Sequence, residues 1–173
     1  MKIFLLSILI ASPLFAQQYN TIVKDEKTGK PMLIGFTTRE AFNDTSFSWW
    51  WNSAYNMYEA DSVAAAVLKE KLKDIDITVV MGSWCSDSRR EVPHFYKLLD
   101  EIGYPADKIT LINVDREKHG KGDEADSLNI NFVPTFIFYK EGKELGRIIE
   151  MPYETLEKDI QEIITGKNEE QNN

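Results

Sequence analysis

The chain holds one cysteine, Cys85, and the residues around it are the ones whose types and spacing could do chemistry. Cys85 stands between an apolar, β-branched run, Ile77 to Met81, and a segment whose apolar spacing predicts a helix. A thiol at that junction meets the unpaired N–H groups and the positive dipole end of the helix, both of which stabilise an anion. The thiolate is the nucleophile in thiol–disulfide exchange. Arg89, one turn further on the same face, adds positive charge. Ser88, three residues on, has two roles open to it: donating a hydroxyl hydrogen bond to the sulfur, or satisfying backbone groups at the helix start. Asp87 reads as a helix-start charge, although its carboxylate opposes a thiolate. The alternative for Cys85 is a buried, inert small hydrophobe.

The elements that would position these residues follow from periodicity. Asp61 caps a helix in which Ala64, Leu68, Leu72 and Ile75 share a face. Ile77 to Met81 is a buried strand. Val92, Phe95, Tyr96, Leu99 and Ile102 mark the next helix, ending near Gly103, and Ile109 to Val114 is a second buried strand. A polar stretch from Asp115 to Asp126 leads through a short helix to Phe132-Val133-Pro134-Thr135. Phe136 to Tyr139, the turn Glu141-Gly142 and Leu145 to Ile149 form a hairpin, and Leu156, Ile160, Ile163 and Ile164 mark a last helix. A helical crossover makes the first two strands parallel, and the hairpin adds an antiparallel edge. The expected class is α/β, a central mixed sheet with helices on both faces.

Composition narrows the partners. With 173 residues, 43% of them hydrophobic, the chain is long enough for one packed domain with an extension. A formal net charge of −8 argues against nucleic acid and anionic membrane as partners. Residues 1–16 read as a signal peptide: Lys2, an apolar run from Ile3 to Ile10, then Ala11, Ser12 and Pro13, with cleavage after Ala16. The run is shorter than the roughly 20 residues a membrane span needs, so an exported, periplasmic or secreted protein with no stable membrane span is expected. Residues 17–58 form an N-terminal extension rich in aromatics, with Lys24 to Lys30 as a loop or hairpin turn. Phe47, Trp51, Tyr55 and Tyr58 fall on one helical stripe, read as packing on the neighbouring domain or as a platform for a partner. Residues 59–166 form the domain, and 167–173 a disordered tail.

The motif itself resembles a known family. Trp84-Cys85-Ser86-Asp87-Ser88 is similar to the Trp-Cys-x-x-Cys motif of thioredoxin, with Ser88 where the second cysteine stands. Pro93 matches the proline of that family's active-site helix, Val133-Pro134-Thr135 its cis-proline loop, and Phe136 to Gly146 its final hairpin. The resemblance implies a thioredoxin-like fold and a thiol–disulfide site: Cys85 attacks, Trp84 flanks it, and Val133 and Pro134 pair with a substrate backbone. Three departures accompany it. The resolving cysteine is absent (a CxxS pattern), the family's buried acid is Val79, and its partner lysine is Leu111. Exchange through Cys85 then needs help from elsewhere: the client's second thiol gives isomerisation, an external thiol reductant gives reduction, and neither leaves a trapped client. Partners would be disulfide-bonded or thiol-bearing protein clients. The rival reading is a binding or folding-assistance module without turnover. No cofactor is expected. An iron–sulfur cluster held with glutathione is disfavoured because the residues around Cys85 do not resemble those of monothiol glutaredoxins. A metal site with His94 or His119 is also disfavoured, since His94 lies nine residues past Cys85 on the opposite side of the helix.

Overall fold

A computed structural model of the chain describes residues 18–166; the signal peptide and the tail expected from the sequence lie outside these residues. Strand β1 (Thr21–Lys24) turns into β2 (Pro31–Thr37) through a loop closed by the Asp25 N–H donating to the Lys30 carbonyl at 2.8 Å. A 3-10 turn at Arg39–Asn43 leads to α1 (Thr45–Met57), capped by the Asp44 carboxylate accepting from the Ser46 N–H. Next come α2 (Ser62–Lys71), with Asp61 accepting from the Val63 and Ala64 N–H groups, and β3 (Asp76–Met81). Helix α3 (Ser86–Ile102) ends on Gly103, whose φ of +69° is the left-handed position that stops a helix. Then follow β4 (Ile109–Asn113), β5 (Thr135–Lys140), β6 (Lys143–Ile149) and α4 (Leu156–Thr165).

The six strands form one mixed sheet in the order β1-β2-β4-β3-β5-β6. Strands β3 and β4 are parallel, as a helical crossover requires, and the other pairs are antiparallel. Sequence periodicity found the four central and C-terminal strands but only the turn between β1 and β2. Strand β1 is a mostly exposed four-residue edge without an apolar alternation to announce it.

Among the described residues the sheet is flanked by four helices, and they share a face. Leu33, Ile77, Val79, Met81, Leu111, Phe136, Phe138 and Ile148 point to that side, where they join buried residues of all four helices in one core. The opposite side carries Val80, Ile112, Val114 and Val133, covered by Ala125, Leu128 and Ile130 of the segment after β4. That segment forms only a 3-10 turn, at Asp126–Leu128. Its polar, glycine-interrupted sequence offers no helical apolar stripe, so among the described residues this face is covered by irregular chain and a 3-10 turn where the sequence pointed to a helix.

Residues 38–58 are packed into the core. Phe42, Phe47, Trp50 and Trp51 are 1–5% exposed, and Phe42 stacks on Trp51 with ring centroids 4.0 Å apart. Tyr55 and Tyr58, at the end of the stripe, are half-buried and donate hydroxyl hydrogen bonds to Asp100 and Glu157. Trp49 points outward, 67% exposed.

Candidate active site

Cys85 sits where β3 gives way to α3. Three residues after Met81 carry the chain across the end of the sheet, and each is tied down. The Gly82 N–H donates to the Ser88 hydroxyl oxygen at 3.2 Å. The Ser83 hydroxyl accepts the Leu33 N–H of β2 at 2.9 Å, and the Trp84 indole N–H donates to the Val114 carbonyl at 2.9 Å. A Cβ on Gly82 would stand 2.6 Å from the Trp84 ring, so the ring keeps its place only over glycine.

The cysteine is the N-cap of α3, with extended backbone angles and no side-chain bond to the helix. Its thiol donates to the Val133 carbonyl at 3.3 Å. Val133 and Pro134 are buried and joined by a cis peptide bond. The structure therefore brings Trp84, Cys85, Ser88, Arg89, Val133 and Pro134 together at one end of the sheet. Ser88 is fully buried, and its oxygen is engaged by the Gly82 amide. The two positions that resemble the family's acid and lysine, Val79 and Leu111, are directly paired neighbours on β3 and β4, with 0% and 3% exposure. No proton-transferring group stands there.

Two guanidinium groups flank the thiol. Arg89 donates through Nε to the Ser83 carbonyl at 2.6 Å, and its Cζ lies 5.6 Å from the Trp50 ring centre. Burial pushes the Arg89 pKa down, and the charge of Cys85 counteracts this. Arg116, from the segment after β4, places its Cζ 4.7 Å from the Trp84 ring centre. Its two nitrogens grip the Asp25 carboxylate at 3.0 and 2.8 Å, which raises the Arg116 pKa. Asp25 is 3% exposed and also accepts from Thr28 Oγ and the Lys27 N–H, so the β1–β2 turn anchors a cation over Trp84, the residue before the cysteine. Sequence reasoning missed Asp25 and Arg116, which are 91 residues apart and carry no local signal of pairing. Among the described residues, no cluster of His, Cys, Asp or Glu could hold a metal ion, and no helix is long and apolar enough to cross a membrane.

The Asp25–Arg116 pair makes stability depend on pH in a defined direction. The Arg116 guanidinium, then the Thr28 hydroxyl, hold the Asp25 carboxyl well below the usual carboxylate range. A lowered folded-state pKa contributes stability above the unfolded value, about 3.9 for Asp, and loses it as pH falls toward the folded one. Asp25→Asn is expected to lower the thermal midpoint at pH 7. The gap from the native chain should stay constant down to about pH 5 and narrow below about pH 4. A gap that is unchanged at pH 3 would show that the pair does not carry the effect.

Comparison with known proteins adds a family to this geometry. The family model described as Thioredoxin matches residues 59–162, from the segment before α2 into α4. Chicken (Gallus gallus) thioredoxin is 29% identical over 107 residues, 62% of this chain and 90% of that protein. Mitochondrial thioredoxin O of rice (Oryza sativa subsp. japonica) is 33% identical over 88 residues, 51% of this chain, and the match spans about half, 47%, of the rice protein. Among solved structures, the X-ray structure of Fasciola hepatica thioredoxin is similar over 58% of this chain and 86% of that one, with 24% identity and a TM-score of 0.38.

Proposed function

Because this chain belongs to the thioredoxin family, we propose that it engages protein disulfides through Cys85 by thiol–disulfide exchange, as a monothiol site working outside the cytoplasm. The observation that carries the reading is the Cys85 thiol at the N-terminus of α3, 3.3 Å from the carbonyl before Pro134. The cysteine loses its proton to solvent and attacks one sulfur of a client disulfide. A Cys85–client S–S bond forms, the client S–S bond breaks, and the departing sulfur leaves as a thiolate with the electron pair. The N–H groups at the start of α3 and the guanidinium groups of Arg89 and Arg116 favour the attacking anion. Trp84 flanks the sulfur, and Val133 and Pro134 offer a backbone edge to the client. Release of the client falls to its own second thiol or to an external thiol reductant, giving isomerisation or reduction. Without either, the client stays trapped. Export rests on the leader-like residues 1–16, from Lys2 to Ala16.

Incubation of the protein with a disulfide-bonded client, followed by acid quench and intact-mass analysis, tests this reading. A mixed disulfide that forms with the native chain, is absent with Cys85→Ala and is removed by added thiol is the expected result. No adduct with either protein would sink the proposal.

One observation favours a second reading, a binding or folding-assistance module without turnover. Val79 and Leu111 fill with hydrocarbon the two positions where the family's proton relay resembles an acid and a lysine. That reading predicts that Cys85→Ser leaves client binding intact, which a binding isotherm with the reduced client measures.

A further inference from the structure

The exposed tryptophan of α1 lines a groove that reaches Ser86, the residue after the cysteine. The groove, of about 350 Å³, runs between α1 and the first turns of α3, lined by Trp49, Trp50 and Met57 on one side and Ser86, Arg89 and His94 on the other. We propose that this groove holds the client segment next to the attacked disulfide and selects an apolar side chain with a carboxylate beside it. The inference rests on the exchange reading of Cys85 and names the class of client that site would take.

Four observations support it. The groove is continuous with the site: Ser86 follows Cys85 directly, and Arg89 lines the groove while bonding the Ser83 carbonyl inside the motif. Its walls are apolar and open to solvent: Trp49 is 67% and Met57 76% exposed, on a helix whose other tryptophans are buried. Isolated exposed hydrophobes are ordinary, but a Trp and a Met on the rim of one concavity form a patch. The volume falls at the lower end of the roughly 300–1,000 Å³ of ligand pockets, which suits one large side chain of a polypeptide. The charge also has a sign. Among the described residues, Arg89 bonds a carbonyl and lies over the Trp50 ring without a carboxylate partner, while Arg90 at the rim is shared between Asp87 and Glu91. The chain's net charge of −8 works against an acidic segment at long range, so the preference is local: the Arg89 guanidinium is the group at this lip left to pair with one carboxylate. Helix α1 lies outside the residues matched by the family model, so one wall of the groove belongs to this chain's own N-terminal region and the other to the matched domain.

The test uses four synthetic peptides, each with one cysteine held as a mixed disulfide with 2-thiopyridine. The cysteine is flanked by Leu-Glu, Leu-Lys, Ser-Glu or Ser-Lys. In each reaction the Cys85 thiolate attacks the peptide sulfur, a Cys85–peptide S–S bond forms, and the peptide–thiopyridine bond breaks. The electron pair leaves on 2-thiopyridine, which takes up a proton and is read by absorbance. The neutral reagent 2,2′-dipyridyl disulfide measures Cys85 without the groove. With the full chain, the Leu-Glu peptide is expected to react about tenfold faster than Ser-Lys, the size of one apolar burial partly realised. The Glu-over-Lys ratio should shrink at high salt. A Trp49→Ala, Met57→Ala variant is expected to lose the Leu-over-Ser ratio and keep the native rate with dipyridyl disulfide.

No reaction with dipyridyl disulfide would overturn the exchange reading itself. Normal reaction with that reagent, but four peptide rates within about twofold, would overturn the groove alone. So would a Leu-over-Ser ratio that survives the double variant. A dimer seen by sedimentation and dissolved by the double variant would overturn it too, by seating a second copy in the groove.

Discussion

In a Ser88→Cys variant, the mixed disulfide between Cys85 and a client is expected to fall at least about a hundredfold in steady-state amount. Position 88 lies one helical turn beyond Cys85, fully buried, with its side-chain oxygen against the Gly82 amide. With a client whose second thiol is blocked, the native chain can be released only by an external thiol, which acts at its bulk concentration. A thiol at position 88 would act within the molecule, where effective molarities reach about 10⁵ M for well-aligned groups, so even a poorly aligned one outcompetes a millimolar reagent. The released chain should emerge two hydrogens lighter, carrying a disulfide between positions 85 and 88. Sulfur is the weaker acceptor for the Gly82 N–H, and losing that hydrogen bond costs about 1 kcal/mol, which leaves the fold standing. Circular dichroism checks the fold, and acid quench with intact mass counts the adduct. An adduct that persists unchanged in the folded variant would mean that release is not limited by the missing second thiol, and the monothiol account of this site would fail.

Trp51→Ala is expected to cost about 3–5 kcal/mol of stability, the range for removing a large aromatic from a packed core. Trp51 is 4% exposed, stacks on Phe42, meets Trp50 edge-on at 6.0 Å and contacts Tyr96 of α3 at 5.4 Å. Removing it opens a cavity between α1 and α3, the helix that carries the cysteine. A domain has about 5–15 kcal/mol in all, so the loss is a large share. Trp49→Ala, on the same helix but exposed, should stay within about 0.5 kcal/mol. Denaturant unfolding of the two variants beside the native chain makes the comparison. Equal, small losses from both would show that residues 45–57 are a detachable arm and that the core does not depend on them.

The cysteine site was legible because its information is local. An apolar β-branched run, a Trp-Cys pair and an amphipathic segment with Gly103 at its end place a thiol on a helix N-terminus whatever the rest of the chain does. Val133-Pro134 was legible as a short motif in the right order. The cap residues Asp61 and Gly103 also act within a turn of themselves, and the structure uses both as the sequence suggests.

What the sequence determined by itself was the succession of elements from α2 to α4, the junction holding Cys85, and the serine three residues on. Only the tertiary structure decided that Ser88 faces the Gly82 amide, that all four helices share one face of the sheet, and that Asp25 anchors Arg116 beside Trp84. It alone separated three adjacent tryptophans into two core residues and one rim residue. The physical reason is range. Periodicity, caps and turns are set by neighbours within a few residues, whereas the direction of a hydroxyl, the meeting of charges 91 positions apart and the burial of one indole over the next depend on which surfaces the packed chain brings together.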